Sequence, residues 1–200
     1  MTRISAFLVA GVLAIASWGA NAAAVYTTKF QQVGGDVVAT GSGAFDLTGM
    51  ASIGSGSEEN RIISSLGFFL FGSGGSSAYD LAMTGPGVFG TGGQFNATSW
   101  TGDQVGIWTQ ANRIYVPQGY VSGDELSNSA TWAGETLAVL GLTEGTYSYT
   151  FGNNTYNVVI ADSMAVPEPA SIALVALGLA GLGLSRRRRS LPLLHHLCLC

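Results

Sequence analysis

The residue types that do most protein chemistry are absent from most of this chain. Between residues 23 and 165 there is no histidine and no cysteine; His195, His196, Cys198 and Cys200 are the only ones and stand at the C-terminal end. The long stretch is thereby excluded from Ser-His-Asp or Cys-His nucleophile sites, His-ligated zinc and haem. The terminal His and Cys are soft-metal ligand types, but the two Cys are spaced more closely than a Cys-x-x-Cys pair, and leucines interrupt them. Neither a metal nor a cofactor is assigned to the chain.

Carboxylates, aromatics and glycines are what remain. Asp46, Asp80, Asp103 and Asp124 lie near Gly-rich or strand-forming segments, and two of them held face to face would suit acid and base roles in glycoside cleavage. The plainer reading caps turns with them, so the expectation is a protein that is not an enzyme, with no catalytic residue. Glu58-Glu59 and Asp124-Glu125 could share a Ca²⁺ with carbonyl oxygens, yet no EF-hand spacing surrounds them. Trp100, Trp108, Trp132 and Tyr115 could form a stacking platform for sugars, although a β-rich domain needs such side chains inside, and core positions are the favoured reading. Gly85-Pro86-Gly87-Val88-Phe89-Gly90 has the Gly-x-Gly-x-x-Gly pattern of a dinucleotide loop. Such a loop requires a strand before it and a helix after it; Pro86, Gly92 and Gly93 favour a surface loop instead.

The elements that must position these residues read as strands. The chain has 200 residues, 47% hydrophobic and only 10% charged, with 29 glycines and a mean hydropathy of +0.34. Low charge excludes a solvated polyelectrolyte, and collagen is excluded because no strict Gly-X-Y period appears. Thr146 to Phe151 alternates Tyr147, Tyr149 and Phe151 with small polar residues, and Thr155 to Ile160 alternates Tyr156, Val158 and Ile160. With Gly152-Asn153-Asn154 between them, the two predict a hairpin. A second hairpin is expected where Tyr26 to Val33 meets Asp36 to Thr40 across Gly34-Gly35. Further strands are expected at Ile62 to Phe71, Ala78 to Met83, Gln104 to Trp108 and Arg113 to Val116, and a short helix at Glu135 to Leu140. The intervals Gly41 to Gly43, Gly54 to Ser57, Gly72 to Ser77 and Gly85 to Gly93 are expected as turns within one domain. The predicted class is all-β: an antiparallel β-sandwich over residues 23–165, large enough to bury a core without disulfides. Three bases against eleven acids leave this segment at −8, which repels nucleic acid and anionic membrane surfaces.

The two ends read as addresses. Residues 1–22 begin with Arg3, continue through the apolar run Ile4 to Ala16 and close on small residues. This is the layout of a secretory signal peptide, with Ala20 and Ala22 at the cleavage site and Ala24 as the alternative end. At the other end, Val166-Pro167-Glu168-Pro169 precedes an uncharged stretch from Ala170 to Ser185 and then Arg186, Arg187, Arg188 and Arg189. A helix over 170–185 is about 24 Å long, short for a bilayer core of about 30 Å but tolerable with local thinning. The arginines would stop transfer and leave the preceding residues outside the cytoplasm.

Those residues carry a resemblance. The Pro-Glu-Pro motif, the short Gly/Ala/Leu segment and the Arg cluster, behind an N-terminal signal peptide, resemble the PEP-CTERM sorting domain of exported proteins of Gram-negative bacteria. The resemblance implies handling by an exosortase, a membrane-embedded cysteine transpeptidase-like enzyme acting near Pro-Glu-Pro, and delivery to the cell surface or extracellular polysaccharide matrix. Ile114 to Gly123, Thr136 to Leu142 and Gly145 to Tyr147 also resemble a body that recurs among PEP-CTERM proteins, with no activity attached. Residues 190–200 depart from the pattern, which ordinarily closes soon after the basic cluster.

Four segments are therefore expected: a signal peptide at 1–22, a Gly-rich β domain at 23–165, a sorting and anchoring segment at 166–189 and an atypical tail at 190–200. The function expected is that of an exported surface or matrix protein of structural or adhesive type. Its expected partners are the exosortase and export machinery, the membrane through residues 170–185, and extracellular polysaccharide. The alternatives are a carbohydrate-binding or glycan-acting surface protein and a plain single-pass membrane protein.

Overall fold

The computed structural model describes residues 23–162. Thirteen strands run through them: β1 (Ala24–Val33), β2 (Asp36–Gly43), β3 (Gly54–Gly56), β4 (Arg61–Ile63), β5 (Phe68–Phe71), β6 (Ser76–Asp80), β7 (Gln94–Asn96), β8 (Ser99–Gly102), β9 (Val105–Trp108), β10 (Arg113–Pro117), β11 (Leu126–Trp132), β12 (Gly145–Phe151) and β13 (Asn154–Ala161). Sheet one has the order β12-β13-β1-β2-β11-β8 and sheet two the order β3-β6-β10-β9-β5-β4-β7. Every pairing is antiparallel except β1 with β13, which run parallel with Tyr26 opposite Tyr156. The described residues are mostly strand, in keeping with the expected all-β class, and this one parallel pair brings the first and last strands of the domain side by side.

Period-two alternation explains the strands that bound the core. Tyr26, Thr28 and Phe30 of β1 and Tyr156, Val158 and Ile160 of β13 face inward while their neighbours face out. Across the gap, Phe30 meets Phe69 and Phe71 of sheet two at ring-centroid distances of 5.2 and 6.2 Å. Trp132 packs on Phe71 at 6.1 Å and Tyr156 on Phe69 at 6.2 Å. One aromatic cluster thus joins the two sheets.

Several polar groups inside this core are paired, although the buried Tyr149 hydroxyl has no partner among the described residues. The Tyr26 hydroxyl donates to Asn128 Oδ1 at 3.0 Å, and Asn128 Nδ2 donates to the Phe71 carbonyl at 2.9 Å, which ties the sheets together. The Thr28 and Tyr156 hydroxyls share a bond of 3.0 Å. Gly41, expected in a turn, instead lies within β2, because a Cβ there would occupy the space of Asn128 Oδ1 and the Tyr26 hydroxyl. The expectation treated glycine as a turn former; here its lack of a side chain admits a buried polar pair.

Both expected hairpins form, β12 with β13 and β1 with β2. Ile62 to Phe71, expected as one strand, is a hairpin of β4 and β5 around a 3₁₀ turn at Ser64–Leu66, closed by Gly67 in the left-handed region. β9 and β10 repeat the device around Thr109–Ala111, with Asn112 at φ 52°. The helix expected over Glu135 to Leu140 is a series of turns. Its reason is visible in the packing: Gly141 takes φ +61°, and Leu137, Leu140 and Leu142 turn into the core to close one end of the sandwich. The strand expected to reach Met83 stops at Asp80.

Among the described residues no helix is long and apolar enough to cross a membrane. The signal segment 1–22 with Ala20 and Ala22, the motif Val166 to Pro169, the span 170–185, Arg186 to Arg189 and the tail 190–200 lie outside the described residues.

Candidate functional site

Trp100, Trp108, Trp132 and Tyr115 lie in three places. Trp132 is 1% exposed in the core, with its indole Nε1 donating to the Phe95 carbonyl at 3.1 Å, so burial removes it from any surface role. Tyr115 and Trp108 sit on the outer face of sheet two beside Phe68, at centroid distances of 6.1 and 5.9 Å from it. Arg61 lies over the Phe68 ring at 5.3 Å and Arg113 over the Trp108 ring at 5.8 Å. Trp100 stands alone on β8 and is 44% exposed.

The carboxylates are likewise separate. Asp80 receives Arg113 Nε at 2.6 Å and Nη2 at 3.2 Å, and these bonds hold its carboxyl below the usual carboxylate range. The Thr48 side chain, together with the Thr48 N–H that Asp46 Oδ1 accepts at 3.0 Å, lowers the Asp46 pKa as well. Asp103 Oδ2 accepts the Ser127 N–H at 2.8 Å, and the backbone carbonyl of Asp124 accepts the Tyr120 hydroxyl at 3.0 Å. Each side chain or carbonyl stabilises a turn or strand end. Glu58 and Glu59 both pair with Arg61, at 3.3 and 3.4 Å. No group of three or more His, Cys, Asp or Glu suited to a metal ion occurs among the described residues.

The Gly85 to Gly90 loop departs from a dinucleotide site in context. β6 ends at Asp80, and irregular backbone rather than a helix follows. Phe89 is fully buried, packed on Phe69 at 5.5 Å and on Tyr147 at 5.8 Å. Gly85 makes room for the Tyr149 ring and Gly90 for the Gly141 carbonyl. The glycines serve packing, and Phe89 is the plug that the loop delivers.

A cleft of about 530 Å³ opens at one side of the sandwich. Its walls come from Ser57 to Asn60 ahead of β4, Gly72 to Gly74 after β5, Asn96 and Ala97 at the end of β7, Trp100 on β8, and Gln104 ahead of β9. The topology brings them together because β7 is an edge of sheet two and β8 an edge of sheet one. The chain therefore crosses between sheets at Ala97 and Thr98. That crossing is pinned by the Ala97 N–H to the Asn60 carbonyl at 2.8 Å and by the Thr98 N–H to the Thr131 carbonyl at 2.8 Å.

Hydrogen bonds fix the cleft walls to one another. Asn60 Oδ1 accepts the Gly72 N–H at 2.7 Å, and the Ser73 N–H donates to the Gly102 carbonyl at 2.7 Å. Gly72 has φ +123°, and a Cβ there would strike the Asp103 carbonyl. Gln104 is 1% exposed, and its Nε2 donates to the Glu58 carbonyl at 3.1 Å. A carbonyl can only accept, so the amide orientation is settled and Oε1 is the end left over. That oxygen has no hydrogen-bond partner among the described residues. An unmet buried acceptor costs about 1–3 kcal/mol, and Gln104 is one of the residues that line the cleft.

Sequence reasoning singled out Trp100, Glu58 and Glu59 but missed Asn60, Asn96 and Gln104. Neutral amides carry no spacing signature, and only the sheet-crossing places these three together.

Residues 165–189 match the family model for the PEP-CTERM protein-sorting motif. That stretch includes Val166 to Pro169 and Arg186 to Arg189. Comparison with curated proteins and with solved structures gives no match.

Proposed function

We propose, for a chain that carries a PEP-CTERM sorting motif and is thereby directed to export and the cell envelope by an exosortase, a structural or adhesive role at the cell surface or in the extracellular matrix. The motif at 165–189 is the observation that carries the reading. In this reading the signal peptide ends at Ala22, residues 170–185 hold the chain transiently in the membrane, and Arg186 to Arg189 stop its transfer. Processing near Pro167 then releases the β domain.

The domain suits such a role physically. Its core is assembled from aromatic side chains of two sheets and uses no disulfide. Its acidic excess favours solubility in an aqueous matrix. The carboxylates of Asp46, Asp80 and Asp103 are each committed to a separate local contact, which supports the reading of a protein that is not an enzyme.

The test is the mass of the mature C-terminus after separating inner membrane, outer membrane and medium. A terminus between Pro167 and Ala170, on protein outside the inner membrane, is expected. Protein that retains Arg186 to Arg189 in the inner membrane would overturn the matrix assignment in favour of a simple anchor.

A further inference from the structure

The geometry points to the cleft between β7, β8 and the loops before β4 and β9 as a binding site for a neutral saccharide. A cleft of about 530 Å³ falls within the range of small-ligand sites, about 300–1,000 Å³. One rim carries an indole that is 44% exposed, whereas Trp132 is buried in the core and Trp108 is packed against Phe68. An aromatic plate beside polar groups recognises a ring with one C–H face and a hydroxylated edge, which is the shape of a pyranose.

The polar groups fit the same ligand. Gln104 lines the cleft and its Oε1 is a buried acceptor without a partner among the described residues; a hydroxyl reaching it through a small shift of the side chain would satisfy it without adding charge. Asn96 and Ser73 line the same cavity and add groups able to donate or accept. Glu58 and Glu59 at the wall are matched by Arg61, so the cleft has no spare cation for a phosphate, sulfate or uronate. The −8 balance of the domain disfavours anions further.

The walls are prepared for a ligand. The Asn60–Gly72, Ala97–Asn60 and Ser73–Gly102 hydrogen bonds hold the three loops in register, which reduces the ordering cost of binding. The second aromatic cluster, at Trp108 and Tyr115, borders a smaller cavity of about 200 Å³ and has Arg61 and Arg113 stacked on its rings. The assignment deepens the adhesive reading and rests on it for the ligand being met outside the cell.

The test is affinity electrophoresis of the full chain in a zwitterionic, non-glycosidic detergent, through gels containing galactomannan, β-1,3-glucan, dextran or alginate. Retardation by at least one neutral polysaccharide is expected. Trp100→Ala should weaken it about tenfold or more, Trp100→Phe should retain part of it, and Val139→Ala, on an exposed position elsewhere, should leave it unchanged. Equal melting temperatures for wild type and variants show that folding is not what is being read. No retardation by any of the three neutral polymers, retardation by alginate alone, or full retardation of Trp100→Ala would overturn the assignment. Sorting is read separately from the mature C-terminus, so failure of the cleft and failure of the export reading remain distinguishable.

Discussion

The outer faces of the two sheets are made on different terms. Sheet one presents hydroxyls and amides: Thr101 and Ser129 share a bond of 3.0 Å, Ser148 donates to Asn157 at 2.7 Å, and Lys29 and Thr40 stand opposite each other. Sheet two presents Phe68, Leu70 and Tyr115, all nearly inaccessible, with Trp108 and Ile63 packed around them. The cover is cationic, Arg61 over Phe68 and Arg113 over Trp108, with each guanidinium tied to carboxylates. An apolar outer face can therefore be shielded without a third layer, because arginine places a flat, paired cation on an aromatic ring. Strand β5 shows both sides at once: Phe69 and Phe71 enter the core while Phe68 and Leu70 enter the outer cluster.

The largest effect that separates the two faces is truncation along β5. Phe71→Ala should cost about 3–5 kcal/mol, the transfer term plus a cavity that the sandwich cannot collapse. Phe68→Ala should cost about 2 kcal/mol, because the outer space opens to water and only the transfer term remains. Chemical denaturation of both variants checks this, and equal losses would mean that the outer cluster is as closed as the core.

Alkaline pH should separate the faces next. Burial raises the pKa of Tyr26 and Tyr156 far above the ordinary value, whereas on Tyr115 the Arg113 contact opposes the upward push of burial. A raised folded pKa gives stability that is complete below the unfolded value of about 10 and is lost as pH rises above it. Tyr26 and Tyr156 should each remove up to about 1.4 kcal/mol per pH unit there, and Tyr149, raised by burial as well, contributes alongside them. Tyr156→Phe should halve the contribution of this pair to the slope of stability against pH between about 10 and 11, and Tyr115→Phe should change it less. Equal slopes would break the comparison.

What the sequence made legible follows the range over which each signal acts. The sorting motif is contiguous, and its order alone carries it. The hairpins at Gly34-Gly35 and Gly152-Asn153 were legible because turn chemistry and alternation lie within a few residues of each other. β11 was missed because Leu126-Ser127-Asn128-Ser129-Ala130-Thr131-Trp132 turns an asparagine inward, a choice that makes sense only once Tyr26 and the Phe71 carbonyl are beside it. The continuous apolar run of β5 was legible as strand, but the 3₁₀ turn ahead of it was hidden by the apolar residues that flank Ser64 and Ser65. The cleft was the least legible feature, since Asn60, Asn96 and Gln104 are neighbours only because the chain changes sheets between β7 and β8.

The smallest expected effect tests the cover itself. Arg113 lies over Trp108 and also pairs with Asp80, whose carboxyl it holds below the ordinary range. A lowered folded pKa gives stability that is present above the unfolded value of about 3.9 and is lost as pH falls through the folded value. Because Asp80 is exposed, its contribution at neutral pH is screened and small. Asp80→Asn should therefore leave the neutral-pH midpoint of denaturation nearly unchanged and should flatten its decline below about pH 4. If the cover depends on the ion pair, Trp108 should also become more accessible to a fluorescence quencher in this variant. An unchanged quenching constant would mean that the guanidinium is held on the ring by stacking alone, and the outer face of sheet two would then be shielded by arginine shape rather than by its pairing.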